Sequence, residues 1–399
     1  MPASLPIGFS ASGLTCGIKA SGKSDLALFV SDRPAAVAGV FTTNQVCGAP
    51  VIVSRRRVPS EGARAVIINS GNSNAATGEP GIRDAEAMTA RVASVLGCQP
   101  ESVLVCSTGV IGVPLPLPLL DAGIPRAAEE LGRSDEHLLA AATAMMTTDT
   151  FPKLFSVDVP VTAGRIRVSG VCKGAAMIAP NMATMLAVVL TDARLSSDQC
   201  SRMLRQAVDQ TFNCISVDGH MSTSDTVLLL AGGATETELT AADLESVSQA
   251  ITDISRLLAT SIIRDAEGAD HFITIDVSGL ASRAEAFRMA KEIANSPLVK
   301  TAITGGDPNW GRIVSAAGYA GVNFDPAWLS LRINGTQVYT AGTPVPFDHV
   351  ALSHSIKAHR DVHLELHVAG GPASGDHAAR FWTSDLTAEY VRLNSEYTT

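Results

Sequence analysis

Short apolar runs with the β-branching of strands open the chain: "LALFVS" (27–32), "AAVAGVFT" (35–42), "PVIVS" (50–54) and "RAVIIN" (64–69). The period then lengthens. Across 81–97, Ile82, Ala85, Met88, Val92 and Val95 share one face of a helix. A strand at 102–107 stops at Thr108-Gly109, the prolines of 114–127 mark a loop or a short helix start, and a helix near 135–146 ends at "MTTDTFPK" (146–153). Strands return at 154–161, 164–172 and 185–192, and two helical stretches, 196–211 and 241–265, bracket a strand at 226–233. After a strand at 271–279, the segment 282–296 predicts an amphipathic helix capped by Ser282, with Glu285 three residues on. Strand–helix–strand alternation then leads to a polar tail, "YVRLNSEYTT" (390–399). The mixture of periods predicts an α/β protein. No repeat, low-complexity stretch or linker marks a domain boundary; one division falls near 182–184 on chemical grounds and another within 280–300.

A chain of 399 residues is long for one domain, so two domains or lobes are expected. Hydrophobic residues make up 46% of it but aromatics only 5%, so the core draws on Ala, Val, Ile and Leu rather than on stacked rings. Thirty basic against 39 acidic residues give a formal charge of −9 with no Lys/Arg cluster, which argues against nucleic acid as a partner. The seven cysteines (Cys16, Cys47, Cys98, Cys106, Cys172, Cys200, Cys214) are scattered, odd in number and never spaced CxxC, as expected of reduced thiols in the cytoplasm. "MPASLPIGFSASGLTCGIKASGKSD" lacks an apolar signal core and no segment holds eighteen uninterrupted apolar residues, so neither a signal peptide nor a membrane span is expected.

Chemistry concentrates in "KGAAMIAPNMATMLAVVLT" (173–191). By spacing alone, Thr184 is an ordinary residue at the start of an apolar strand. A hydroxyl is also a weak nucleophile unless a base sits beside it, and the free α-amine of an N-terminal Thr is one such base. That amine exists only if the chain is cut before Thr184. The hydroxyl can make the cut itself by attacking the Ala183 carbonyl, turning the peptide into an ester that water opens. The released amine has an unperturbed pKa of about 7.7–8.0, which suits a general base. In "CSTGVIG" (106–112), Thr108-Gly109 can offer a hydroxyl and a backbone N–H to an oxyanion, or simply end a strand. Lys173 can bind a carboxylate or be a solvated charge; Glu267 in "RDAEGADHF" can bind an amine or be a surface acid where a helix breaks at Gly268. His363 and His367 have the i, i+4 spacing of zinc helices. Their surroundings alternate like a strand, however, which would set the imidazoles about 13 Å apart, too far for one ion. No metal is expected there. Cys172 has no His near it in sequence and reads as a buried thiol. The glycines of "ITGGDPNWGR" fit neither G-x-G-x-x-G nor the P-loop, so no nucleotide cradle is expected.

The stretch "KGAAMIAPNMATMLAVVLTDA" (173–193) resembles the ornithine acetyltransferase family, also called bifunctional glutamate N-acetyltransferase, whose Lys-Gly…Met-Ala-Thr-Met-Leu motif contains a self-cleavage site. Further blocks of that family recur in order: "NSGNSNAATG" (69–78), "STGVIG" (107–112), "MTTDTFPK" (146–153), "FNCISVDGHMSTSDT" (212–226), "DAEGA" (265–269), "SPLVKTAITGGDPNWGRI" (296–313) and "YVRLNSEYTT" (390–399). The resemblance implies Thr184 as nucleophile, Ala183–Thr184 as the scissile bond, and Thr108 with Gly109 as the oxyanion hole. It implies substrate contacts at Thr147, Lys173, Thr184, Glu267, Asn394 and Thr399. It further implies a layered α-β-β-α sandwich in two lobes, with a smaller C-terminal domain from about residue 290. Chains 1–183 and 184–399 would stay associated and pair into a heterotetramer.

The implied reaction is ping-pong transfer of acetyl from N2-acetylornithine to Thr184 and on to glutamate, in arginine biosynthesis, with no metal or organic cofactor. Some members accept acetyl-coenzyme A. Rival readings are an amidohydrolase that passes the ester to water, a secondary-metabolism relative with another donor or acceptor, and a binding protein that never cuts itself. Three departures bear on substrate preference. Ala176 replaces a family Gly, His220-Met221 replaces an acidic residue and Thr, and Asp270-His271 replaces Thr-Lys or Ala-Lys. The last is expected to remove a positive charge beside a substrate contact.

Overall fold

The apolar stretch Leu26–Phe41 forms one long strand, where the sequence suggests two. Pro34, which has no N–H to donate, sits within the register slip between Val30 and Ala35, so it joins the two runs instead of ending them. The computed structural model describes residues 3–178, 185–235, 238–370 and 374–396. In chain order they form β1 (Phe9–Leu14), β2 (Leu26–Phe41), α1 (Ala49–Arg55), β3 (Ser60–Asn72), α2 (Gly78–Leu96), β4 (Val103–Val110), α3 (Leu117–Glu129), α4 (Asp135–Met145), β5 (Lys153–Val161), β6 (Gly164–Lys173), β7 (Leu186–Thr191), α5 (Ser197–Gln210), β8 (Ile215–Ser216), β9 (Thr226–Ala231) and α6 (Ala241–Arg264). There follow β10 (Phe272–Leu280), α7 (Arg283–Asn295), α8 (Pro297–Thr304), α9 (Trp310–Gly318), β11 (Leu329–Ile333), β12 (Thr336–Thr340), β13 (Thr343–Pro344), α10 (His349–Ala358), β14 (Asp361–Val368), β15 (Ser374–Ser384) and α11 (Ala388–Glu396). Two compact units result. One holds the chain up to Asn213 together with His220–Ile262; the other holds Cys214–Gly219 and Ile263–Thr398.

In the first unit the strands run β4-β3-β2-β9-β7-β6-β5, with β1 paired to β2. Leu26–Val30 of β2 pair with β3 and Ala36–Phe41 pair with β9, so the two halves of β2 serve two halves of the sheet. Alternate residues of both halves meet in one core: Ala27, Phe29, Val66, Ile68 and Leu104 from one, Val171, Leu186, Val188, Leu228 and Leu230 from the other. The opposite face of β2–β4 buries Leu28, Ile67 and Val105 with Met88 and Val92 of α2 and Leu120 and Ile124 of α3. On β6, Gly170 leaves room for Ile254 and Leu258 of α6, which a Cβ would meet at 2.7 and 2.8 Å. Helices outside two packed layers of strand give the expected α-β-β-α arrangement.

The run "PVIVS" departs from its expected strand. It lies in α1, with Pro50 in the first turn, where no N–H is missed. Ala49, Val51 and Val53 are buried, and Ser54 exchanges two hydrogen bonds with Val105 of β4, donating at 2.7 Å and accepting at 2.9 Å. Tertiary packing overrides the β preference of its valines and isoleucine.

The second unit has a sheet ordered β13-β12-β11-β14-β10-β15-β8. One face is apolar: Ile273, Ile275, Val277, Leu364 and Leu366 are buried, and α7 packs on it with Ala286, Met289 and Ile293. Ser282 caps α7 by accepting from Glu285 N at 3.2 Å, as its spacing predicts. On the polar face, His363 bonds Asp276 at 2.8 Å and His367 bonds Ser278 at 3.0 Å, so the two imidazoles of β14 engage different partners. Among the described residues, no helix is long and apolar enough to cross a membrane.

Candidate active site

Thr108 and Gly109 close β4 beside Gly71 of β3, in a parallel ladder. Gly109 has φ +131°, and a Cβ there would stand 2.3 Å from the Gly71 carbonyl carbon and 2.6 Å from Asn72 N. Only glycine fits this approach. The block 69–74 holds the corner from below: Asn69 Nδ2 donates to Asn72 O at 2.8 Å, Asn72 Nδ2 donates to Val113 O at 3.1 Å, and Ser73 Oγ donates to Val110 O at 2.7 Å. Thr108 is buried on this scaffold. A threonine hydroxyl and a glycine amide set rigidly at a strand end are the donor types an oxyanion requires.

A second cluster lies at the end of β6. Lys173 Nζ donates to Thr147 Oγ1 at 3.2 Å, so two expected substrate contacts touch. Beneath them, Asp149 accepts from Thr147 N at 2.9 Å, Gly174 N at 2.6 Å and Lys153 Nζ at 2.7 Å. The side chains of Asp149 and Lys153 are both 0% exposed. Burial alone would raise the Asp149 pKa; the charges of Lys153 and Lys173 and the Gly174 N–H outweigh it and hold the carboxyl below its usual range. Lys19 adds another cation. Its Cγ would lie 3.0 Å from a Cβ on Gly71, and burial lowers its pKa to about 8 against the pull of Asp25 and Asp149, with the Lys173 charge lowering it further.

Across the mouths of three neighbouring strands, Lys173 pairs with Leu186 and Leu186 with Thr226, and Thr226 N donates to Met185 O at 2.9 Å. Asp225, immediately before β9, is buried, and burial pushes its carboxyl well above the usual range although Ser222, Lys173 and Thr42 pull it down. Among the described residues its Oδ2 has no hydrogen-bond partner. Asp225 therefore lies one residue before the Thr226 that bonds Met185, the residue that follows Thr184 in the chain. Ala183 and Thr184 themselves lie outside the described residues, as does Thr399.

In the second unit, Asn394 Nδ2 of α11 donates to Glu267 Oε2 at 3.0 Å, joining two more expected contacts. Gly268, at φ +65°, allows this: a Cβ would stand 2.5 Å from Tyr390 N. The polar tail is thus helical as far as Glu396. His271 turns inward to Asp385, with Nδ1 2.7 Å from Oδ2, and that hydrogen bond outweighs burial to raise the imidazole pKa. The Asp270-His271 exchange thus puts an imidazole whose pKa is raised by Asp385 at this place.

Sequence reasoning from individual residues misses Asp149, Asp225 and Asp385, each a single acid in a polar stretch. A carboxylate flanked by hydroxyl residues in "TTDT" or "STSDT" is the signal available, since it marks an acid surrounded by donors.

A family model described as the ArgJ family matches residues 10–399. The chain is similar to the arginine biosynthesis bifunctional protein ArgJ of Rhodopirellula baltica, 48% identical over 399 residues that cover 99% of this chain and 96% of that protein. The protein of the same name from Thermosynechococcus vestitus is 44% identical over 408 residues, covering 98% and 96%. Among solved structures, the ornithine acetyltransferase of Mycobacterium tuberculosis, complexed with ornithine, is 40% identical, covers 46% of this chain and 97% of that one, and has a TM-score of 0.44.

Proposed function

Since the chain belongs to the ArgJ family, we propose that it moves an acetyl group from N2-acetylornithine to glutamate through an ester on Thr184, in arginine biosynthesis. The observation that carries this reading is the Thr108-Gly109 corner, whose backbone approach to Gly71 excludes any side chain at position 109. The enzyme first cuts itself. Thr184 Oγ attacks the Ala183 carbonyl, the C–N bond breaks as the nitrogen takes a proton, and water hydrolyses the ester to free the Ala183 carboxylate and the Thr184 hydroxyl. In turnover the new α-amine removes the Oγ proton as Oγ attacks the acetyl carbonyl, and Thr108 Oγ1 with Gly109 N–H holds the oxyanion. Ornithine departs with the proton. The glutamate amine then attacks the acetyl ester, giving N-acetylglutamate and restoring Thr184.

Substrate contacts fall on Thr147, Lys173, Glu267, Asn394 and Thr399. Lys173 suits a carboxylate and Glu267 an ammonium group. The chains 1–183 and 184–399 remain associated and pair into a heterotetramer in the cytoplasm.

Intact-mass measurement of wild type and Thr184→Ala tests the cut, and transfer of isotopically labelled acetyl from N2-acetylornithine to glutamate tests the reaction. Two chains in wild type, one in the variant, and label in N-acetylglutamate without coenzyme A are expected. Label released as acetate instead would make the protein a hydrolase, and an uncut wild type that still transfers acetyl would remove the mechanism. Adding labelled acetyl-coenzyme A with glutamate reads whether that donor is also used.

A further inference from the structure

Both ring nitrogens of His271 face acceptors. Nδ1 lies 2.7 Å from Asp385 Oδ2 and Nε2 lies 3.2 Å from Ile356 O of α10. A neutral imidazole carries one N–H, so one of these contacts would set a lone pair against an oxygen. The imidazolium satisfies both.

Asp385 is a hub in the second unit. Its Oδ1 accepts from Asp270 N and His271 N, each at 3.0 Å, and its Oδ2 also accepts from Thr304 Oγ1 of α8 at 3.2 Å. Two residues later, Thr387 Oγ1 donates to Gly268 O at 2.5 Å, and α11 begins at Ala388. A single carboxylate thus ties the loop bearing Glu267 to the base of the helix bearing Asn394. These are the two side chains that meet at 3.0 Å. Asp385 has side-chain exposure of 0%, so without a cation on Oδ2 it would be a buried charge with weakened support.

We propose that His271, as an imidazolium, is a positioning residue: by holding Asp385 it sets the spacing of Glu267 and Asn394 and thereby the affinity for the ammonium group of the amino-acid substrate. The inference rests on the reading of Glu267 and Asn394 as substrate contacts. Other charged groups around the pair are few and nameable. Asp270 adds to the raising effect of Asp385 on the imidazole. Lys300 of α8 interacts with Asp385 and Asp218 while donating to Thr383 Oγ1 at 2.8 Å and to Ser384 O, and burial draws it down to about 7. The grip is complete below the ordinary His range near 6.5 and is lost as pH rises through the raised value in the folded protein.

The test measures KM and kcat for the amino-acid substrates from about pH 6 to 9 in the processed enzyme. Wild type is compared with His271→Ala, His271→Lys and Glu267→Gln. Wild-type KM should rise more steeply on the alkaline side than that of His271→Lys, because a lysine there keeps its charge across this range. Substrate and nucleophile amines titrate alike in both enzymes, so the difference belongs to His271. His271→Ala should raise KM about tenfold at every pH, with kcat within about threefold. If Glu267→Gln leaves KM unchanged, the substrate-contact reading fails. If Glu267→Gln raises KM while wild type and His271→Lys share one pH profile, the positioning role is overturned and the contact reading stands. Should His271→Ala not fold, the comparison of wild type with His271→Lys decides alone.

Discussion

Replacing Gly109 by alanine isolates the geometry of the proposed oxyanion corner. The new Cβ would meet the Gly71 carbonyl carbon at 2.3 Å, Asn72 N at 2.6 Å and Gly71 Cα at 2.7 Å, all backbone atoms of a paired strand. None can rotate away. The φ of +131° adds strain of about 1–3 kcal/mol for any L side chain, and overpacking costs about 1–3 kcal/mol more. A total of about 2–6 kcal/mol is a large part of the roughly 5–15 kcal/mol that holds a protein folded, so the segment yields by sliding off Gly71. A displacement of about 1 Å at a reacting centre costs about 100-fold, and loss of one oxyanion donor about 100- to 1,000-fold. Gly71→Ala is the control. Its φ is +101°, but its Cβ would meet the Lys19 and Ile18 side chains at 3.0 and 3.1 Å, and side chains can move. Self-cleavage by intact mass, acetyl transfer and thermal melting should show Gly109→Ala slowed at least about 100-fold in both reactions, with Gly71→Ala less affected. Wild-type rates in a folded Gly109→Ala protein would refute the argument, as would a Gly71→Ala defect larger than that of Gly109→Ala.

Lys153→Ala strands the buried Asp149 carboxylate, and a loss of about 3–5 kcal/mol is expected in denaturant titration; a change below about 1 kcal/mol would contradict the buried ion pair. Asp149 has a folded pKa below its unfolded one, so its stabilisation is present above about pH 4 and disappears as pH falls through the folded value. Lys153→Ala should therefore flatten the acid limb of the stability curve. Asp225 has the opposite sign: its folded pKa is raised above the unfolded one, so it costs stability increasingly as pH rises above about 4 toward the folded value. Asp225→Asn keeps the shape without that cost, and the melting-temperature difference between variant and wild type should grow from pH 5 to pH 8. A difference independent of pH would show an ionised Asp225.

Local patterns predict β3–β7, β9 and β10 and helices α2, α4, α5, α6 and α7 well, because each alternates or repeats over enough residues to bury one face. They fail where length is short or packing decides. The seven residues of α1 span too few turns to distinguish helix from strand, and Ser54 bonding to β4 settles the matter. The prolines of 114–127 leave a loop or a short helix start open, and α3 runs on through Pro125, while β1, with its Ser-Ala-Ser-Gly composition, has too little apolar signal to be noticed. At the site, Thr108-Gly109, Lys173 and Glu267 are legible as residue types at element ends. Their supports are not, since Asp149 reaches Gly174 across 25 residues and Asp385 reaches His271 across 114. Such pairings follow from the fold and leave no local spacing to read.

The strand order of the first sheet has a consequence for how the mature protein can be made. Strands β7 and β9 lie between β2 and β6. The proposed break before Thr184 would assign β2 and β6 to one polypeptide and β7 and β9 to the other, so each product would supply the neighbours on which the other's ladders depend. Leu186–Thr191 and Thr226–Ala231 are buried along their whole length, and made alone they would present two bare apolar edges to any passing strand. Under the proposed cut, the unbroken precursor would therefore be a folding template that guarantees equal stoichiometry. Splitting the gene at this point would require both pieces to be synthesised together, whereas a chain that cuts itself as proposed would achieve the same end by weaving first and cutting afterwards.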